Sequence, residues 1–169
     1  MAVRYFIRLA FKGTKYHGWQ IQANAVTIQE ILNEALSTIL REDVNVAGAG
    51  RTDTGVHASC FYAHFDLHSS VISETQNTIF RLNRFLPDDI SVYRIFPVKE
   101  NAHARYDATS RTYQYHITTI KDPFKREFAY YCFWQLNVEK MNKACNFLFD
   151  YKDFTSFSKS KTQVKTNFC

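Results

Sequence analysis

Hydrophobic and polar residues alternate from Val3 to Phe11, with Val3, Tyr5, Ile7, Leu9 and Phe11 on one side and Arg4 and Arg8 on the other. A period of two is that of a strand with one buried face. After the stretch FKGTKYHGWQIQAN, read as a loop, the period lengthens. Ile28, Ile31, Leu32, Ala35, Leu36, Ile39 and Leu40 recur at helical spacing and define one wide apolar face. Thr27 with Glu30 forms a capping box ahead of that face, and Val26 and Ile31 occupy the two positions of a hydrophobic staple. Val44 to Gly48 reads as a second strand and Gly50 to Ala58 as a loop. Ser59 to Leu67 follows as a third strand with Phe61, Ala63, Phe65 and Leu67 on one face. A helix is predicted from about Ser73 to Leu86, stopped by Pro87, Asp88 and Asp89, and a fourth strand from Ile90 to Val98.

The order β-α-β-β-α-β implies an α+β fold of the ferredoxin-like, RRM-like kind, an antiparallel sheet with both helices on one face. In such folds the free face of the sheet commonly holds RNA. A similar pattern restarts after His103: a strand from Arg111 to Ile120, a loop through Pro123, a helix from about Val138 to Phe149, and strand-forming residues from Gln163 to Phe168. The expected division is residues 1–102 as one RRM-like domain and 103–169 as part of a second. A full second unit needs further strands and a helix, and a half-built sheet leaves an unpaired edge. The expectation is therefore a C-terminally truncated form of a longer protein, or a chain that a partner completes.

Composition supports a folded chain. Among 169 residues, 46% are hydrophobic, and 15 Phe and 10 Tyr supply far more buriable area than a disordered chain carries. No run approaches the roughly 18 apolar residues of a membrane span, and Arg4 and Arg8 interrupt the apolar core that a signal peptide needs, so a cytoplasmic address and no membrane partner are expected. Cys60, Cys132, Cys145 and Cys169 form no CxxC pair and are read as reduced thiols. The net charge of +5 is unevenly spread: residues 1–102 carry 10 basic and 10 acidic side chains, residues 103–169 carry 11 and 6. Before Glu30 the chain holds Arg4, Arg8, Lys12 and Lys15 and no acid, a positive surface if the fold gathers them. Polyanions are candidate partners, although the same charge also serves solubility.

The stretch GAGRTDTGVHA, Gly48 to Ala58, is the densest in reactive groups. Arg51, two residues from Asp53, is placed to keep that carboxylate ionised and aimed, and an ionised, partly desolvated Asp serves as nucleophile or general base. The plainer alternative is an ordinary loop in which Asp53 accepts backbone N–H bonds and Arg51 neutralises it. His57, His64 and His68 do not converge with a Cys or carboxylate set, so no metal is expected. No GxSxG, Walker loop or GxGxxG is present, which leaves chemistry without a cofactor. HARYDATSRTYQYHI interleaves Arg105 and Arg111 with Tyr106, Tyr113 and Tyr115, fitting phosphates and stacked bases, or core packing in the case of Tyr115. Tyr16, His17, Gly18 and Trp19, beside Lys12 and Lys15, are read as RNA contact or as packing against a partner.

Taken together, GAGRTDTGVHA, FKGTKYHGWQIQ, HARYDATSRTYQY and DFTSFSK make the chain closely resemble the bacterial tRNA pseudouridine synthase A family, the tRNA pseudouridine(38–40) synthases, along essentially its whole length. The resemblance implies a homodimeric isomerase acting on uridines 38 to 40 of the tRNA anticodon stem-loop, without metal or cofactor, on two RRM-like halves flanking a cleft. It implies that Asp53 is the catalytic carboxylate, that Tyr113 lies against the target base, and that Arg51 assists in everting the nucleotide. Such an enzyme must take the base out of its stack before the glycosidic bond is remade. Asp53 then attacks the ribose or the base, or deprotonates the sugar. The family also carries an apolar and basic segment near its C-terminus, with an Arg or Lys close to the catalytic Asp, that this sequence does not match. Weak tRNA binding and slow or no turnover are accordingly expected of the 169-residue form. The rival function is a non-catalytic RRM-like RNA-binding module in which Asp53 is structural.

Overall fold

The structure is a computed structural model that describes residues 2–158 and 166–168. It has two compact units, Met1–Tyr113 and Gln114–Cys169.

In the first unit, strand β1 (Val3–Phe11) has the predicted limits and buries Tyr5, Ile7, Leu9 and Phe11. Helix α1 (Ile28–Leu40) starts at the predicted cap, where the Thr27 hydroxyl accepts the Glu30 N–H at 3.4 Å. Val26 is 51% exposed, so this hydroxyl and not an apolar staple secures the helix start. Arg41, left-handed at φ 57°, ends the helix by donating its N–H to the Ser37 carbonyl.

Strand β2 is only Ala47–Gly48, shorter than the predicted Val44–Gly48. The reason lies in α1. Ser37 Oγ accepts the Val44 N–H at 2.9 Å, Asn33 Oδ1 accepts the Val46 N–H at 3.0 Å, and Gln29 donates to the Val46 carbonyl at 2.7 Å. Helix side chains have taken the backbone groups that a ladder would use. Strand β3 (Ala58–Leu67), helix α2 (Thr75–Phe85) and strand β4 (Ile90–Pro97) follow close to their expected limits.

The sheet order is β2-β3-β1-β4 with every pair antiparallel, and Ile7 stands opposite both Ala63 and Ile95. One face carries the core, where Ile7, Leu9, Phe65, Leu67 and Val92 meet Leu32 and Leu36 of α1 and Leu82 of α2. Each such side chain contributes about 1.5–3 kcal/mol by leaving water. On the opposite face Arg4 grips Asp66 through two hydrogen bonds of 2.7 Å and donates to the Ala102 carbonyl at 3.0 Å. Lys15 pairs with Asp89 at 3.5 Å. Two of the four early basic residues are thus neutralised, which removes much of the positive surface expected from them.

The unit runs past Ala102 to Tyr113 because Ala104 is buried and its N–H donates to His64 Nδ1 at 3.2 Å.

In the second unit a two-residue strand β5 (Ile117–Thr118) pairs in parallel with β6 (Tyr130–Tyr131), and helix α3 (Val138–Asn146) passes into a 3-10 turn at Phe147–Asp150. The predicted strand from Arg111 to Ile120 shrinks to β5, since residues 111–116 meet no strand to pair with among the described residues. The helix starts where expected, with Asn137 Oδ1 accepting the Lys140 N–H at 2.9 Å. The predicted strand from Gln163 to Phe168 lies mostly outside the described residues, as does Cys169; Phe168 forms an isolated bridge with Asp153. No helix among the described residues is long and apolar enough to cross a membrane.

Candidate active site

The Gly48–Ala58 loop leaves β2, turns at the sheet edge and enters β3. Within the loop Val56 donates its N–H to the Asp53 carbonyl at 3.2 Å, and Ala49 ties it to β3 by donating to the Tyr62 carbonyl at 2.8 Å. Further support comes from the segment after β1. Trp19 donates its N–H to the Thr52 carbonyl at 3.3 Å, Gly55 donates to the Tyr16 carbonyl at 3.2 Å, and Gly13 donates to His57 Nδ1 at 3.1 Å. Contact is so close that side chains are excluded on both sides of Asp53. A Cβ on Gly18 would lie 2.2 Å from the Thr52 carbonyl oxygen, and one on Gly13 would lie 2.0 Å from that of Val56. Gly18 also has φ +83°, which L side chains rarely adopt.

Tyr16 and Trp19 hold this supporting segment down. Trp19, 3% exposed, packs its ring 4.4 Å from Phe61, and the Tyr16 hydroxyl donates to Asp89. Burial, reinforced by that bond, raises the Tyr16 pKa well above the usual tyrosine range. Their expected role in RNA or partner contact is therefore overturned: both are core residues, and what they support is the loop.

Asp53 and Arg51 are both exposed, and among the described residues neither side chain has a hydrogen-bond or ion-pair partner. Two sequence expectations fail here. Arg51 does not neutralise Asp53, and it is the Asp53 backbone carbonyl, not its carboxylate, that accepts an N–H within the loop. Backbone contacts fix the loop's path and leave the two charged groups uncommitted at its surface. The Thr52 hydroxyl between them is buried without a partner among the described residues.

Arg111, whose charge and position suit a phosphate contact, instead directs its guanidinium to backbone carbonyls: Nε and Nη2 donate to Ala49 at 3.1 and 2.8 Å, and Nη2 also to Arg105 at 2.7 Å. Tyr113, two residues on, is 73% exposed. Nearby, His64 is buried; burial, followed by its neighbours His103 and Arg4, lowers its pKa, which favours the neutral ring that accepts the Ala104 N–H. Among the described residues no three His, Cys, Asp or Glu side chains are grouped to hold a metal.

Sequence reasoning missed the support role of the first loop and the clamp made by Arg111. One signal was present: the chain has five glycines, and Gly13, Gly18, Gly48, Gly50 and Gly55 all lie in the loop or in the segment beneath it.

Sheet, helices and braced acidic loop together define an α+β protein with an active-site candidate at one sheet edge. The family model described as tRNA pseudouridine synthase matches residues 8–107, which include the loop and its support. A tRNA pseudouridine synthase A of Bacteroides thetaiotaomicron is 59% identical over 166 residues, covering 98% of this chain and 61% of its own length. Its namesake in Bacteroides fragilis is 57% identical, covering 98% and 66%, and that of Thermoanaerobacter sp. strain X514 is 41% identical, covering 91% and 63%. The chain belongs to the tRNA pseudouridine synthase family. It spans 61% to 66% of the length of these curated relatives.

Proposed function

We propose that the chain serves to isomerise uridine to pseudouridine in tRNA, at positions 38 to 40 of the anticodon stem-loop, with Asp53 as the catalytic carboxylate. The observation that carries this reading is the exposed Asp53 carboxylate, without a partner among the described residues, on a loop braced by backbone contacts in a member of this family. In the reaction the C1′–N1 bond of the nucleotide breaks, the uracil turns, and C1′ bonds to C5. The C5 proton is released to solvent and N1 gains one, so the atoms balance with no cofactor. Arg51 fills the stack vacated by the flipped base or binds an adjacent phosphate, and Tyr113 packs on the uracil.

The order β2-β3-β1-β4 supports a ferredoxin-like, RRM-like assignment for the sheet. In this reading residues 1–102 make the domain that carries the loop. Residues 103–169 begin a second such domain, whose first stretch, through Tyr113, packs on the first. A cytoplasmic homodimer that binds tRNA through its basic residues completes the proposal.

Release of tritium from tRNA labelled at uridine C5 tests it. Asp53→Asn abolishes release while leaving tRNA binding and the unfolding midpoint intact, because no described partner depends on that carboxylate. Because slow turnover is expected of this chain, release is counted with the protein in excess of tRNA; retained release in Asp53→Asn overturns the assignment, and tRNA binding by the unaltered chain without any release under those conditions points instead to an RNA-binding module.

A further inference from the structure

The stretch Ala108–Tyr113 has no regular secondary structure, and the hydrogen bonds that tie it to the rest of the unit among the described residues all come from the Arg111 guanidinium. One end of that fork lies on Ala49, the second residue of the Gly48–Ala58 loop, and the other on Arg105. The guanidinium lies close over Gly50, where a Cβ would stand 3.4 Å from Arg111 Nε, in ordinary contact. Arg111 thus ties the backbone that leads into Asp53 to the backbone that leads into Tyr113.

We infer that Arg111 is a positioning residue: it fixes the placement of Tyr113 relative to the Asp53 loop, and with it the pocket that receives the flipped base. The inference rests on the proposed pseudouridine chemistry for its catalytic consequence, although the clamp itself is independent of it. Arginine is required because two carbonyls on separate segments are bridged by one planar group with fixed N–H directions. A lysine ammonium supplies the charge without that fork. The charge is not the essential part, since neither acceptor is a carboxylate.

The experiment has two arms on the full 169-residue chain. In amide hydrogen exchange, Arg111→Ala and Arg111→Lys both speed exchange at Ala49 and Asp107 about tenfold or more, while Ile7 and Leu9 in the central strand keep their rates. In turnover on tRNA, both variants lower kcat with KM nearly unchanged, and added methylguanidinium restores Arg111→Ala in both arms but leaves Arg111→Lys impaired. Unchanged exchange overturns the clamp. Faster exchange with unchanged kcat overturns its role in positioning, as does a loss that appears only in KM, which identifies a phosphate contact. If the unaltered chain shows no turnover even with the protein in excess of tRNA, the functional reading has failed on its own account and the exchange arm still decides whether Arg111 joins the two segments.

Discussion

Gly18→Ala isolates how the Gly48–Ala58 loop is held. At φ +83° an alanine carries left-handed strain of about 1–2 kcal/mol. Its methyl carbon would lie 2.2 Å from the Thr52 carbonyl oxygen, so one backbone must retreat by about 1 Å to reach ordinary contact. That movement stretches the Trp19 N–H bond to Thr52, already 3.3 Å, and losing it costs about 1 kcal/mol more. The total is about 2–3 kcal/mol. Gly55→Ala is the matched control, because φ is +80° there but a Cβ meets nothing within 4 Å, leaving only the strain term of about 1–2 kcal/mol. Urea unfolding followed by Trp19 fluorescence, in a Trp134→Phe background that silences the second unit, reads the difference. Gly18→Ala is expected to fall below Gly55→Ala by about 1 kcal/mol, or roughly 4–8 °C in Tm. Because Thr52 adjoins Asp53, the proposed catalytic carboxylate, the same displacement is expected to lower any turnover by about 100-fold. Equal stability in the two variants refutes the claim that close backbone contact, and not conformational preference alone, selects glycine at position 18.

Three further outcomes follow from the fold. Asp66 is held below the usual carboxylate range chiefly by its hydrogen bonds with Arg4, so its contribution is complete above about pH 4 and is lost as pH falls through the depressed folded value. Asp66→Asn is expected to cost about 1 kcal/mol at pH 7 for this partly exposed pair and to flatten the acid limb of a stability-versus-pH curve. Thr27→Ala removes the buried cap of α1 and is expected to cost about 1 kcal/mol by thermal circular dichroism. Asn83→Ala leaves both backbone groups of buried Val92 without the side chain that now bonds them at 2.7 and 2.8 Å, a loss of about 2 kcal/mol by urea unfolding.

The first unit was legible wherever one physical rule acted alone. Period two along Val3–Phe11 and period 3.6 along Ile28–Leu40 each report a single buried face, and both elements form where those periods begin and end. Legibility failed where polar side chains compete for backbone groups. Val44 and Val46 are strand-formers, yet Ser37, Asn33 and Gln29 of α1 bind their backbone groups, and hydrophobic pattern carries no trace of such bonds. The site divides in the same way. The loop was visible from its density of reactive residues, but the bonding expected of Asp53 and Arg51 followed their spacing in sequence, whereas the folded loop spends its hydrogen bonds on backbone atoms.

The second unit shows the limit of periodicity from the other side. Val138, Met141, Cys145 and Leu148 recur at helical spacing, and α3 forms where they predict, with Asn137 as its cap. Yet α3 buries none of its residues, and Cys132 is the one buried side chain among the described residues of this unit. Local propensity and a cap suffice to select the helical conformation, whereas burial needs an opposing layer that the pattern can require but not supply. The same holds for residues 111–116, whose alternation suits a strand but which meet no partner strand among the described residues. There the backbone takes its path from a side chain, Arg111, so the segment that carries Tyr113 is positioned by three hydrogen bonds to carbonyls and not by a sheet.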